Sequence, residues 1–339
     1  MRPNASVSAQ TPALIPALIP ACVLAAAFAL PGAASADPLP SWRDDGAQAR
    51  IEAFVEAVTD PASEDYVTPA RRIAVFDNDG TLWSEQPAYF QLLFALDVLK
   101  TKAEADPSIL TSDVLKAAAA GDMEGMMAGG VKGLLEVVDV SHAGMSVEAF
   151  QADAAAWLAE TAHPTSDLPY AAMTYQPMIE LLSYLRDEGF STWIVSGGGV
   201  HFIRAVAQDA YGIPPWQVIG SRGNLSYDAE GKALMKDGGV SLVDDKEGKP
   251  VGIDQQIGVR PILAAGNSDG DFAMLDYVTA GDGPSLGLLV HHTDGAREFA
   301  YDREGHIGVL NQGLDEAEGR GWLLVDMKAD WTRIWTGGE

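Results

Sequence analysis

Two carboxylates sit one residue apart in Asp77-Asn78-Asp79-Gly80-Thr81, directly behind the apolar run Ile73-Ala74-Val75-Phe76. Arg71-Arg72 on one side and Gly80 on the other bound that run. The pattern predicts a short buried parallel strand carrying both carboxylates at its C-terminal end. Open α/β sheets bind ligands in the crevice beyond that end. Two close like charges repel, so the pair needs a cation, a shared proton or a hydrogen-bonded cage. A divalent metal meets this need, and hard oxygen ligands suit Mg²⁺.

Three further apolar runs end in polar residues. Ser191-Thr192-Trp193-Ile194-Val195 leads into Ser196-Gly197-Gly198-Gly199. Pro261-Ile262-Leu263-Ala264-Ala265 leads into Gly266-Asn267-Ser268-Asp269-Gly270-Asp271, and Leu286-Gly287-Leu288-Leu289-Val290 into His291-His292, with Asp294 beyond. In a parallel sheet all four ends share one edge. One acidic cluster means little in so acidic a chain, but several strand ends bearing Asp or Ser-Gly are harder to assign to chance. Such parts suit phosphoryl transfer. A carboxylate can attack phosphorus, and a second can protonate the leaving oxygen and later deprotonate water. A metal, a hydroxyl, backbone N–H groups and a lysine gather the charge on the phosphoryl oxygens.

The elements that must position these residues are legible in outline. Helical period predicts helices from Ala47 to Val58 and from Pro177 to Glu188. Between Pro87 and Tyr170 no strand pattern stands out. Phe90 to Leu99, Met123 to Val138 and Val147 to Ala162 have helical period instead. The expected fold class is therefore α/β: a three-layer, Rossmann-like parallel-sheet core over 37–86 and 171–339, with an inserted α-helical cap over 87–170. A helix from His201 to Asp209 follows the glycine run. A β-hairpin is expected over Gly223 to Val243, with turns at Asp228-Ala229-Glu230-Gly231 and Asp237-Gly238-Gly239. Trp322, Trp331 and Trp335 are expected to serve ordinary packing.

The chain has 339 residues, and its first 36 have the pattern of a secretory signal peptide. Arg2 precedes an apolar stretch from Ala13 to Leu30, and Ala34-Ser35-Ala36 offers a cleavage site. Pro12, Pro16 and Pro20 argue against a long spanning helix. A lipoprotein cysteine at Cys22 is disfavoured because Pro20 adjoins it and the apolar run continues past it. Export to the periplasm, or secretion, with cleavage near Ala36 is the expectation, and no stable membrane insertion of the mature chain. Cys22 is the only cysteine, so the mature chain would have no disulfides, thiolate catalysis or cysteine-based zinc sites. A net charge of −26 argues against nucleic-acid binding and fits solubility.

Asp77-Asn78-Asp79-Gly80-Thr81, Ser196-Gly197-Gly198, Lys249 and Gly266-Asn267-Ser268-Asp269-Gly270-Asp271 occur in that order over roughly 70–300. This arrangement resembles the haloacid dehalogenase (HAD) superfamily, and within it the phosphoserine-phosphatase-like branch with a helical C1-type cap. The resemblance implies an Mg²⁺-dependent phosphatase acting on a small phosphorylated metabolite through an aspartyl phosphate. It implies Asp77 as nucleophile and Asp79 as general acid/base. It places Ser196, the Gly197 N–H and Lys249 on the phosphoryl group, and a metal on Asp77, Asp79, Asp271 and Asn267. Lys246 competes with Lys249, but Pro250, Val251 and Ile253 favour Lys249 as the start of the following helix.

Some positions depart from the family pattern. Many relatives have Asp where Asn267 stands, and Asp269 is the candidate to compensate. Phosphoserine phosphatases carry a substrate-binding Glu at the position of Gln86, which has Glu85 beside it here, so phosphoserine is in doubt. Dehalogenases lack a second Asp corresponding to Asp79. Trp83, Tyr89 and Arg204 are candidate substrate contacts, and His291 and His292 candidate substrate or metal contacts, against structural roles for each. A phosphotransferase using an alcohol acceptor is the alternative enzyme, separable by product analysis with added acceptors. A weakly catalytic protein that binds phosphorylated ligands is the alternative outside enzymes, separable by metal-dependent phosphate release.

Overall fold

The computed structural model describes residues 37–43 and 46–337. The expected signal peptide, its cleavage site and Cys22 lie outside the described residues. In chain order, α1 (Ala47–Thr59) precedes β1 (Ile73–Phe76). Five helices follow: α2 (Phe90–Ala105), α3 (Asp113–Ala120), α4 (Met123–Met127), α5 (Gly130–His142) and α6 (Val147–Glu160). Then come α7 (Gln176–Asp187), β2 (Ser191–Gly199), α8 (Val200–Arg204), α9 (Ala207–Tyr211), β3 (Val218–Asp228), β4 (Ala233–Leu242) and α10 (Gly248–Gln256). The chain continues through β5 (Leu263–Gly266), α11 (Phe272–Thr279), β6 (Leu286–His291), α12 (Gln312–Arg320), β7 (Leu323–Asp326) and α13 (Met327–Asp330).

Seven strands among the described residues form one sheet in the order β4-β3-β2-β1-β5-β6-β7. All pairs are parallel except the antiparallel β3–β4 hairpin at the edge. The central strands are apolar without interruption because both faces are covered, and successive residues serve opposite layers. Ala74, Phe76, Ile194, Ala265, Leu288 and Val290 join a core shared with α1 and α7. Val75, Val195, Ala264 and Leu289 point the other way, to a core with Ile253 of α10, Met274 of α11 and Ala317 of α12. This is the expected three-layer α/β arrangement. Among the described residues no helix is long and apolar enough to cross a membrane.

Arg72 fixes where β1 begins. Its guanidinium donates to the carbonyls of Val67 at 2.9 Å, Glu188 at 2.9 Å and Thr59 at 3.4 Å. Two of these are carbonyls at or just past the C-terminal ends of α1 and α7, which lack partners within their helices. One buried side chain thereby ties both helices to the strand that carries Asp77.

The helices between β1 and β2 divide between two cores. Leu92, Ala95 and Leu99 of α2 meet Leu115, Ala118, Met126 and Val137 in a cluster of their own. Phe150, Ala154 and Leu158 of α6 instead join the main core. Beyond β2 the structure departs from expectation in four places. The helix expected from His201 to Asp209 is broken into α8 and α9. The hairpin begins earlier, since Val218 to Gly220 first pair with β2 before the strand bends outward. The second expected turn, at Asp237-Gly238-Gly239, lies inside β4, where irregular register absorbs it. Finally, β7 adds a strand within a stretch expected only to pack, because its four residues are too short to show a period.

Candidate active site

Strand register brings the polar residues together. Phe76 pairs with Ile194 on one side and Ala265 on the other, so Asp77, Ser196 and Asn267 emerge at one edge. The Asp77 N–H donates to the Ala265 carbonyl at 2.9 Å and carries the ladder one residue further. The chain then turns sharply: the Asn78 carbonyl accepts from Leu82 N at 2.8 Å, and Gly80 has φ 73°. A left-handed backbone at that point favours glycine.

Lys249 is the centre of the site. Its Nζ donates to Asp77 Oδ1 at 2.7 Å, Asp271 Oδ1 at 2.6 Å and the Val195 carbonyl at 2.9 Å, so all three N–H donors are used. The competitor Lys246 is exposed, has φ 52° and meets the site through its backbone, where its N–H donates to Gly270 O at 3.2 Å and its carbonyl accepts from Lys249 N at 3.1 Å. Asp271 accepts on its other oxygen from Asn267 N at 2.9 Å and Ser268 N at 3.0 Å. Asp271, expected among the metal ligands, thus anchors its own loop and Lys249. Gly266 makes this possible, since a Cβ there would lie 2.4 Å from the Asp271 Cβ.

Asp79 and Ser196 meet across Gly198. A Cβ at Gly198 would lie 3.4 Å from Asp79 Oδ2 and 3.3 Å from Ser196 Oγ. Ser196 Oγ accepts from the Gly198 N–H at 3.0 Å. Asp79 Oδ1 accepts from the Trp83 indole N–H at 2.9 Å. Trp83 is therefore no pocket wall: it is buried against Phe90, Phe202 and Tyr211 and holds Asp79 in place. Tyr89 does lie near the acids, because Glu85, Asp79 and Asp77 add to burial in raising its phenol pKa.

The other expectations resolve as follows. Asp269, the candidate to compensate for Asn267, accepts from the N–H groups of Asn311, Gln312 and Gly313 at 3.0, 3.1 and 3.0 Å. These are donors at the start of α12, where an acid is electrostatically favoured. Gln86 is held through its carbonyl, which accepts from His163 Nε2 at 2.8 Å. Arg204 donates to the Val218 carbonyl at 3.1 Å and lines a cavity of about 700 Å³ at the base of the hairpin with Trp216 and Arg222. None of its contacts reaches Asp77. His291 pairs with Asp302 at 3.3 Å. His292 is buried, and its Nε2–H donates to the Gly80 carbonyl at 2.8 Å, so it props the turn directly after Asp79. Sequence reasoning missed the full burial of Glu85. Its signal was a lone charge in an otherwise uncharged turn, Leu82 to Pro87.

The electrostatics are lopsided. Burial, and then repulsion from Asp271, push the Asp77 carboxyl well above its ordinary pKa against the pull of Lys249. Burial raises Asp79 despite the Trp83 hydrogen bond, and raises Glu85 far more, with Asp79 and Asp77 adding to it. Lys249 moves the other way: burial opposes its charge, but Asp271 and Asp77 outweigh burial and keep it protonated. Four acids thus surround one lysine, an excess of negative charge that a cation would relieve.

Asp244, just before α10, is a separate liability. It is fully buried, and neither carboxylate oxygen has a hydrogen-bond partner. Burial pushes its pKa up to about 7, opposed by Lys249 and Arg222. An acid with a raised folded-state pKa favours the fold below its unfolded pKa and loses that contribution as pH rises through the folded value. For Asp244 the window runs from the ordinary carboxylate value of 3.8 to about 7. Asp244→Asn should therefore match the wild type near the acid end and exceed it above neutrality, by roughly 1–3 kcal/mol. Melting temperatures of both proteins across that range measure this, and a constant offset would remove Asp244 as the cause.

The sequence profile of the haloacid dehalogenase-like hydrolases matches residues 74–276, more than half of the chain. The chain belongs to this family. Among solved structures, a conserved protein of unknown function from Anaerococcus prevotii DSM 20548 has the same fold. The two share 17% identity with a TM-score of 0.53, over 82% of this chain and 90% of that one. A protein of unknown function from Bordetella pertussis Tohama I is also similar, at 17% identity and a TM-score of 0.48, over 76% and 99% of the two chains. A phospho-aspartyl intermediate analogue of phosphoserine phosphatase is more distant, at 15% identity and a TM-score of 0.35, over 65% and 86%. No curated protein matches the chain.

Proposed function

We propose that this hydrolase is an Mg²⁺-dependent phosphatase of a small phosphomonoester that works through an aspartyl phosphate, exported by the leader in its first 36 residues. One observation carries the reading: buried Lys249 bridges Asp77 and Asp271 at the strand edge where Asp79 and Ser196 converge on Gly198. Lys249 takes one oxygen of Asp77 and leaves the other for chemistry. That oxygen attacks phosphorus while the bond to the ester oxygen breaks. Asp79, whose raised pKa favours the protonated form, gives its proton to the departing alcohol. Asp79 then takes a proton from water as the water attacks phosphorus, which frees phosphate and restores Asp77. Ser196 and Lys249 bind the phosphoryl oxygens, and Trp83 keeps the Asp79 carboxyl aimed.

The donor set fits Mg²⁺. No group of three or more His, Cys, Asp or Glu among the described residues is arranged to hold a metal alone. Asp77, the Asp79 backbone carbonyl and the Asn267 amide oxygen would hold the ion, a small all-oxygen set of the kind that leaves positions for water and phosphate. When bound, Mg²⁺ would supply positive charge that keeps Asp77 ionised and offsets the charge of the phosphoryl group. The test is phosphate release from p-nitrophenyl phosphate. Turnover is expected with Mg²⁺, with loss on chelation by EDTA and return on re-addition. Turnover indifferent to EDTA would overturn the metal dependence, and no turnover on any small phosphomonoester would overturn the activity.

A further inference from the structure

Glu85 is a buried carboxylate that the reaction does not use. It is 2% exposed. Its Oε1 accepts from Asn267 Nδ2 at 2.7 Å and from the Tyr301 hydroxyl at 2.8 Å. The same oxygen lies against two glycines: a Cβ at Gly80 would come within 2.5 Å of it and one at Gly308 within 2.3 Å. Both have positive φ, 73° and 65°, so substitution is strained twice over. The turn after β1, the loop after β5 and the loop after β6 thus build a receptacle around one oxygen atom. Tyr301 is itself braced, with its ring stacked on His292 at a centroid distance of 4.3 Å.

The consequence falls on Asn267. The two ends of an amide are nearly isosteric, and partners decide which end points where. Glu85 Oε1, which also takes the Tyr301 hydroxyl proton, acts as an acceptor and so selects the amide nitrogen. The amide oxygen is thereby left on the other side, where Thr81 Oγ1 donates to Asn267 Oδ1 at 3.2 Å. We infer that Glu85 is a positioning residue that locks the Asn267 amide so that its oxygen, not its nitrogen, is offered to a divalent cation. The inference rests on the cation-dependent reading above. It also makes the loop from His292 to Gly308 part of the cation site, although that loop supplies no ligand.

The test titrates Mn²⁺ into the substrate-free protein and follows free ion by electron paramagnetic resonance. Glu85→Gln keeps an acceptor oxygen for both donors and should stay within ~3-fold of wild-type affinity, whereas Glu85→Met removes it and should weaken binding at least ~10-fold. A second arm does not depend on Glu85→Met folding. Asn267→Asp sets two carboxylates at one 2.7 Å contact and should lower the melting temperature. Combined with Glu85→Gln the penalty should vanish, because the new amide can donate to the new carboxylate. Wild-type affinity in Glu85→Met, or an Asn267→Asp penalty equal in both backgrounds, would overturn the inference and leave the phosphatase reading intact. A wild-type protein that binds no Mn²⁺ would overturn both.

Discussion

Asp77→Asn is expected to lower phosphate release by at least about 10⁴-fold while leaving the protein as stable as the wild type or more so. The first half follows from the nucleophile: an amide oxygen cannot form the acyl phosphate and be regenerated by hydrolysis. The second half follows from electrostatics. Burial and Asp271 both disfavour the Asp77 charge in the folded state. The substituted side chain keeps an oxygen that can accept from Lys249 at the site of the present 2.7 Å contact, without that repulsion. Turnover and melting temperature measured on the same preparation give both readings. Wild-type turnover in this variant would end the proposed mechanism. A melting temperature far below wild type would show that Asp77 supports the fold, contrary to its electrostatics.

Lys249→Met is expected to damage both properties at once. The change deletes the partner of two carboxylates and a carbonyl, at 2.7, 2.6 and 2.9 Å. Removing one member of a buried charged network leaves the others uncompensated, at about 3–5 kcal/mol. In a chain of this size that lowers the melting temperature by roughly 10 °C. Turnover should fall about 10³-fold, because the phosphoryl oxygens lose a preorganised cation. Saturating Mg²⁺ should recover part of the stability, since it binds the folded state and neutralises the same acids. Thermal melts with Mg²⁺ and with EDTA measure this. A variant that melts with the wild type in EDTA would mean that Lys249 is not the counter-ion of this cluster. The two substitutions touch one ion pair from opposite ends, yet only the loss of the lysine should destabilise.

The readable part of this site is the part that local pattern controls. Short apolar runs ending at Asp77, Ser196, Gly266 and His291 gave strand ends, and parallel pairing places such ends on one edge. The choice of Lys249 over Lys246 was legible from the helix that begins there, and the structure places Lys249 on Asp77 and Asp271. The two acids in Asn267-Ser268-Asp269-Gly270-Asp271 could not be sorted in the same way. Asp269 caps α12 and Asp271 anchors its loop. Both roles depend on which backbone N–H groups lie within 3 Å or so, a distance that types and spacing do not encode.

By itself, then, the sequence determined the α/β class, the order of the strands that carry the acids, and the pairing of Asp77 and Asp79 at one strand end. Those properties follow from hydrophobic period and turn chemistry over a few neighbouring residues. Only the tertiary structure decided what each acid touches. Trp83 became the support of Asp79 rather than a wall for substrate, and Glu85 met Tyr301 across 216 residues. Such contacts arise when separate loops are folded onto one another. Their partners are chosen by burial, because a carboxylate removed from water must find donors wherever the fold supplies them.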